Sequence, residues 1–195
     1  MIPIENKDSQ HMKGFVEIFT IDKKSNIKKL HSKSNLIVYL GREWLLSRII
    51  NYNNPNITPN SYDYISYLGI GIGGAPVTDP LNPIPPSNTD TQLAQQIPIV
   101  AGNPAYAGNG YYINFNNVTF LQDNLNLNSY LILRLDTLID ETMCNGYNIN
   151  EAGLFTSNSN QPTLATEFFL FSRITYPTIA KGPDIAIQII WYLYS

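Results

Sequence analysis

Charge is scarce in this chain: Asp, Glu, Lys and Arg together make up 14% of its 195 residues, against about 25% in an average soluble domain. Cysteine occurs once, at Cys144, so no internal disulfide can form. With only His11 and His31 beside it, no zinc-ligand spacing can be assembled. No apolar run approaches the roughly 18 residues of a membrane span, and no charged-then-apolar leader is encoded. The expectation is a soluble protein made in the cytoplasm, with neither membrane nor metal nor cofactor among its partners.

Catalytic equipment is equally sparse. There is no G-x-S-x-G elbow, no H-E-x-x-H pair and no Lys-containing phosphate loop. Gly69, Gly71 and Gly74 match G-x-G-x-x-G after a candidate strand, but dinucleotide binding needs a helix to start there, and Pro76 and Pro80 deny it. Strand glycines that let neighbouring chain pass closely explain the spacing better. Asp140-Glu141, with Glu151 or Glu167, supplies the residue types of a glycosidase, yet a solvated turn accounts for the pair more simply.

The few charges are unevenly placed. Residues 1–48 hold seven Lys and two Arg against five acids, and the rest hold three basic residues against ten acids. Lys23, Lys24, Lys28, Lys29 and Lys33 surround Ser25-Asn26. They lack the interleaved Arg and aromatic residues of a nucleic-acid surface, so a solvated hairpin tip is expected and nucleic acid is not.

What the chain has in quantity is apolar and aromatic residues, 44% and 12%, with 13 Tyr. Ile185, Ile187, Ile189, Trp191 and Leu193 alternate with Ala186, Gln188, Ile190, Tyr192 and Tyr194, the period of two of a strand with unlike faces. Similar signals predict strands over 15–21, 27–31, 36–39, 64–72, 93–100, 111–121, 130–138, 147–155, 164–175 and 184–194. In 111–121 the phase breaks, because Ile113 and Phe115 share one face and Val118 and Phe120 the other. A bulge near Asn116-Asn117 reconciles them. Helical spacing is found over 41–50, where Trp44, Leu45, Arg48 and Ile49 line one side.

The predicted fold is therefore all-β: a two-sheet antiparallel sandwich of jelly-roll type with one short helix and long loops rich in Pro, Gly and Asn. Residues 1–12 read as an extended arm, either draped over a neighbouring subunit or frayed, before a single domain over 13–195. The prolines of 74–92 cannot pair inside a sheet, and a structureless loop of this length usually makes contacts or stays mobile. The assembly contacts expected are Ile2, Pro3 and Ile4 of the arm, and Pro76, Val77, Pro80, Leu81, Pro83, Ile84, Pro85 and Pro86 of the loop. Glu151 lies in an otherwise apolar strand and requires a cation, for which Arg134 and Arg173 are the candidates.

Four segments together resemble a family of bacteriophage virion structural proteins. They are Ser34-Asn35-Leu36-Ile37-Val38 with Gly41-Arg42-Glu43-Trp44-Leu45; Tyr67-Leu68-Gly69-Ile70-Gly71-Ile72-Gly73 with Thr89-Asp90-Thr91-Gln92-Leu93; Ile149 to Phe155; and Phe171 to Lys181 leading to Trp191. The insertion Pro76 to Ser87 and the pair Gln95-Gln96 depart from that pattern. The resemblance implies a non-enzymatic building block, repeated on the neck, tail or capsid surface of a particle, whose partners are copies of itself and other virion proteins. The alternative is a receptor-recognition module that binds host-surface glycan through aromatic and Asn side chains.

Overall fold

The computed structural model describes residues 13–38, 41, 65–97, 112–123, 130–157 and 168–194. The expected arm with Ile2, Pro3 and Ile4, the helix over 41–50 apart from Gly41, the loop 51–61 and the turn 102–110 lie outside the described residues. No helix among the described residues is long and apolar enough to cross a membrane.

Nine strands are described: β1 (Lys13–Asp22), β2 (Ile27–Ile37), β3 (Ile65–Gly71), β4 (Tyr112–Asn114), β5 (Asn117–Asp123), β6 (Tyr130–Ile139), β7 (Asn148–Ser157), β8 (Phe168–Ala180) and β9 (Ile185–Tyr194). They form one sheet in the order β4-β3-β7-β8-β2-β1-β9-β6-β5, every pairing antiparallel. The β1–β2 turn follows from its sequence. Asp22 Oδ1 accepts the backbone N–H of Lys24 and Asn26, while Ser25 takes a positive φ of 61°. The lysines around this turn are exposed.

Leu36 and Ile37, expected to begin a separate strand, instead continue β2. They carry it from β1, its partner up to Asn35, to β8, where Leu36 opposes Arg173 and Ile37 opposes Ser172. The phase break in 111–121 is likewise not a bulge. β4 pairs with β3 at one end of the strand order and β5 pairs with β6 at the other. Ile113 and Phe115 pack against the core, whereas Val118 and Phe120, opposite Leu135 and Leu133 on the edge strand β5, stay 52% and 66% exposed, so the phase changes where the partner strand changes.

Only Phe115 and Asn116 separate β4 from β5, a stretch that spans about 10 Å. The two edges of the sheet therefore approach each other, and the sheet is curled. Asn116 fixes the crossing, donating its N–H to Asp136 O and accepting the N–H of Leu138 on Oδ1, at 2.8 and 2.6 Å.

One apolar core fills the inside of the curl. Val16 and Ile18 of β1, Leu135 and Ile139 of β6, and Ile187, Ile189, Trp191 and Leu193 of β9 meet Leu68 and Ile70 of β3, Ala152 and Leu154 of β7, and Ile174 and Tyr176 of β8. The alternation in β9 thus places Trp191 in the core. A second, smaller cluster lies on the outer face of the β3–β7–β8 half, where Tyr112 stacks on Phe168 at 3.7 Å between ring centres and meets Phe155 edge-on at 4.9 Å.

β8 runs further than its predicted end and includes Pro177. The ladder with β7 shifts register there, Ile149 opposing Ile179 and Glu151 opposing Thr175, so the proline falls in the irregular step where its missing donor does no harm. Leu93–Ile97, expected to start a strand, makes only a single bridge between Gln96 and Gly71; 98–100 lie outside the described residues.

Candidate functional site

The glycines of β3 recur at period two, Gly69 and Gly71, and so leave one face of that strand without side chains. Gly69 pairs with Gly153 of β7, which extends the bare patch across two strands. A Cβ on Gly71 would stand 2.5 Å from both Gln95 O and Glu151 Oε1, and one on Gly153 would stand 2.7 Å from the Leu170 side chain and 3.1 Å from that of Leu93. The bare patch is thus filled by backbone and side chains of 93–96, which lie flat on the outer face. The glycine spacing marks a close approach of chain to chain.

Residues 72–97 form a strap over this patch. Ile72 N–H donates to Gln95 O at 2.9 Å and Ile97 N–H to Ile70 O at 3.0 Å, holding the two ends together. The proline-rich part, expected to lack structure, is made of short hydrogen-bonded turns: Asp79 N–H to Pro76 O, Asn82 N–H to Asp79 O, and Asp90 N–H to Ser87 O. It is tied to β8 as well, Thr178 N–H donating to Pro80 O at 2.8 Å and Thr175 Oγ1 to Ile84 O at 2.7 Å.

Glu151 is the centre of this arrangement. Its side chain has no solvent exposure, and it sits on the outer face beside Gly71. Oε1 accepts the N–H groups of Gly73 and Gln95 at 3.1 and 2.8 Å; Oε2 accepts that of Ala94 at 3.0 Å. Arg173 then donates Nε and NH2 to Oε2 at 3.0 and 2.5 Å. Five donors saturate a group with about four acceptor sites.

Arg173 reaches the carboxylate because it opposes Gly153, two positions from Glu151 on the same face, and no Cβ stands between them. Its NH1 binds Asp90 Oδ2 of the strap at 2.6 Å. Burial works against the guanidinium charge, but the hydrogen bonds and charges of Asp90 and Glu151 outweigh it and lift its pKa above the ordinary value. Two carboxylates face one guanidinium, and the three backbone N–H groups on Glu151 offset the excess negative charge. Tyr176, fully buried behind β7, donates its hydroxyl to Glu151 O at 3.3 Å; burial, then the Glu151 charge, raises its pKa.

Of the two cations considered for Glu151, Arg173 is therefore the partner. Arg134 lies on β6 in the other half of the sheet, where it pairs with Asp136 at 2.9 Å. It belongs to an outer-face row in which Tyr192 donates its hydroxyl to Glu17 and Lys29 pairs with the same carboxylate. The roles of Asp90 and of the N–H groups of Gly73, Ala94 and Gln95 are not apparent from the sequence, although the bare face at Gly69 and Gly71 signals that some segment must lie there.

Among the expected contact residues of the strap, Val77 is 97% exposed, Leu81 72% and Ile84 54%. Pro80 and Pro85 are also exposed, and Pro76, Pro83 and Pro86 are half-buried. Asp140 is held in its turn by the N–H and hydroxyl of Thr142, which lower its pKa. No cluster of His, Cys, Asp and Glu able to hold a metal ion occurs among the described residues. Searches against protein-family models, curated proteins and solved structures found no match.

Proposed function

We propose that this chain is a non-enzymatic structural component of a bacteriophage virion, present in multiple copies on the neck, tail or capsid surface and joined to its neighbours through the arm and the strap. The finer architecture belongs to the same proposal: the two halves of the curled sheet, joined where β2 leaves β1 for β8, act as the two layers of a jelly-roll-like sandwich.

The observation that carries this reading is the contrast within the strap. Its base is fixed by Glu151, Arg173 and Asp90, while Val77 and Leu81 project into solvent from its outermost turns. A pre-ordered apolar tip docks without the ordering cost of a mobile loop, and interface centres are apolar. Glu151 has no acceptor site left for proton transfer, and Trp191 is buried and offers no ring to a sugar. Glu151 is therefore not free to act as a catalytic acid, nor Trp191 as a sugar platform.

The test is a Val77→Asp, Leu81→Asp double variant. It is expected to melt like the parent protein yet be missing from purified particles. Normal occupancy of the variant would remove the strap from the assembly contacts.

A further inference from the structure

Lys181, just past the end of β8, is 2% exposed, yet its ammonium touches only neutral groups: Nζ donates to Asn145 Oδ1 and to Gly182 O, each at 3.0 Å. Among the described residues it makes no ion pair, and Asp140 and Glu141 act on it only through space. The neighbouring Cys144 thiol is buried, which pushes its pKa up to about 12 and keeps it neutral. Asp140 is engaged by Thr142, and Glu141 contributes its backbone carbonyl to Asn145 Nδ2 at 2.8 Å. A buried ammonium without a contacting carboxylate is an incomplete arrangement, since burial disfavours the charge unless an anion balances it.

Its neutral acceptor has a route to becoming an anion. Asn145 is exposed and is followed by Gly146, itself exposed, with a φ of +88° and no atom within 4 Å of where a Cβ would stand. Gly146 thus places no side chain beside the Asn145 carboxamide, and attack by the Gly146 nitrogen, the usual route of Asn-Gly deamidation, is held back only by the hydrogen bonds of the turn. Lys181 Nζ already sits on the carboxamide oxygen, where a cation stabilises the negative charge that develops as the ring closes.

We propose that Asn145 deamidates spontaneously through Gly146, and that the carboxylate so formed pairs with Lys181 and locks the 140–147 turn to the end of β8. In the first step Gly146 N loses its proton to solvent, bonds to Asn145 Cγ, and the carboxamide nitrogen leaves as ammonia, giving a succinimide. Water then opens the ring at the side-chain carbonyl, restoring the backbone and leaving a carboxylate in place of the amide. Gly146 N–H donates to Lys181 O at 2.8 Å, so the first step awaits a local opening of the turn and conversion is slow. Opening at the other carbonyl gives isoaspartate, which lengthens the backbone and disrupts both Gly146 N–H to Lys181 O and Lys181 N–H to Tyr147 O. The folded turn selects aspartate.

The experiment ages the full-length protein at physiological temperature and follows peptide 135–173, released by trypsin after Arg134 and Arg173, by mass spectrometry. The expected result is a gain of about 1 Da at position 145, with aspartate the major product. Asn109-Gly110, the other Asn-Gly pair in the chain, serves as the internal reference, and Lys181→Met should slow conversion at 145 relative to 109. Independently, Asn145→Asp should raise the thermal midpoint, and the rise should vanish when combined with Lys181→Met. An intact amide at 145 after position 109 has converted, isoaspartate as the major product, or an Asn145→Asp midpoint no higher than the parent's would each overturn the proposal.

Discussion

Arg173 donates both Nε and NH2 to one carboxylate oxygen of Glu151 on the outer face of the β7–β8 ladder, and turns its third nitrogen to Asp90 of the strap. One guanidinium thus couples the sheet to the segment that lies over it. With Glu151 also bound to three strap or near-strap N–H groups, the strap is part of the folded body at its base and solvent-facing at its tip.

Removing Arg173 leaves Glu151 buried without its cation, and removing Glu151 strands three N–H groups and leaves Arg173 to Asp90 alone. Glu151→Ala or Arg173→Ala is expected to destabilise the protein by about 3–5 kcal/mol in chemical denaturation. Glu151→Ala combined with Arg173→Ala should lose less than the sum of the single changes, because the two side chains act on each other. Additive losses would show that the pair is not coupled.

The bare face at Gly71 is tested by a methyl group. Gly71→Ala places a Cβ 2.5 Å from Glu151 Oε1 and Gln95 O, both held in place, and is expected to cost about 1–3 kcal/mol. Gly182→Ala, where a Cβ meets nothing within 4 Å, is the control and should leave the denaturation midpoint close to the parent's. Limited proteolysis should cut within 76–92 sooner in Gly71→Ala than in the parent if the strap is what has been displaced.

His31 gives the fold a dependence on mild acid. Its ring lies 6.0 Å from that of Tyr176, and its buried Nε2 has no hydrogen-bond partner among the described residues. Burial, and then the nearby Lys33, lowers its pKa below the ordinary 6.5. The folded state therefore prefers the neutral ring: this stability is complete above pH 6.5 and is lost as pH falls from there toward the folded-state value. Thermal midpoints should decline over that window in the parent and decline less in His31→Gln. Equal slopes in the two proteins would exclude His31 as the cause.

Local residues revealed much of this architecture, and distant ones withheld the rest. The β1–β2 hairpin was readable because Asp22 and Asn26 build the turn from within five residues, and the inner face of β9 because its alternation is unbroken through Leu193. The break between Ile113 and Val118 was visible too, but a bulge and a change of partner strand leave the same mark in sequence. Only pairing separates them, with β3 on one side and β6 on the other. Glu151 announced its need for a cation by being a charge in an apolar strand. Which arginine answers it depended on a two-residue offset across the β7–β8 ladder, and Asp90 joins from 83 positions away. The glycines at 69 and 71 showed that something lies on the outer face without showing that it is the segment returning at 93–96.

Whether this chain is a virion component is tested by quantitative mass spectrometry of purified particles, counting it against the major capsid protein. A virion component is expected at a fixed, symmetry-compatible copy number: about six or twelve for a neck or tail ring, and hundreds for a capsid surface. A chain absent from particles, or present in trace and variable amounts, would contradict the proposed function.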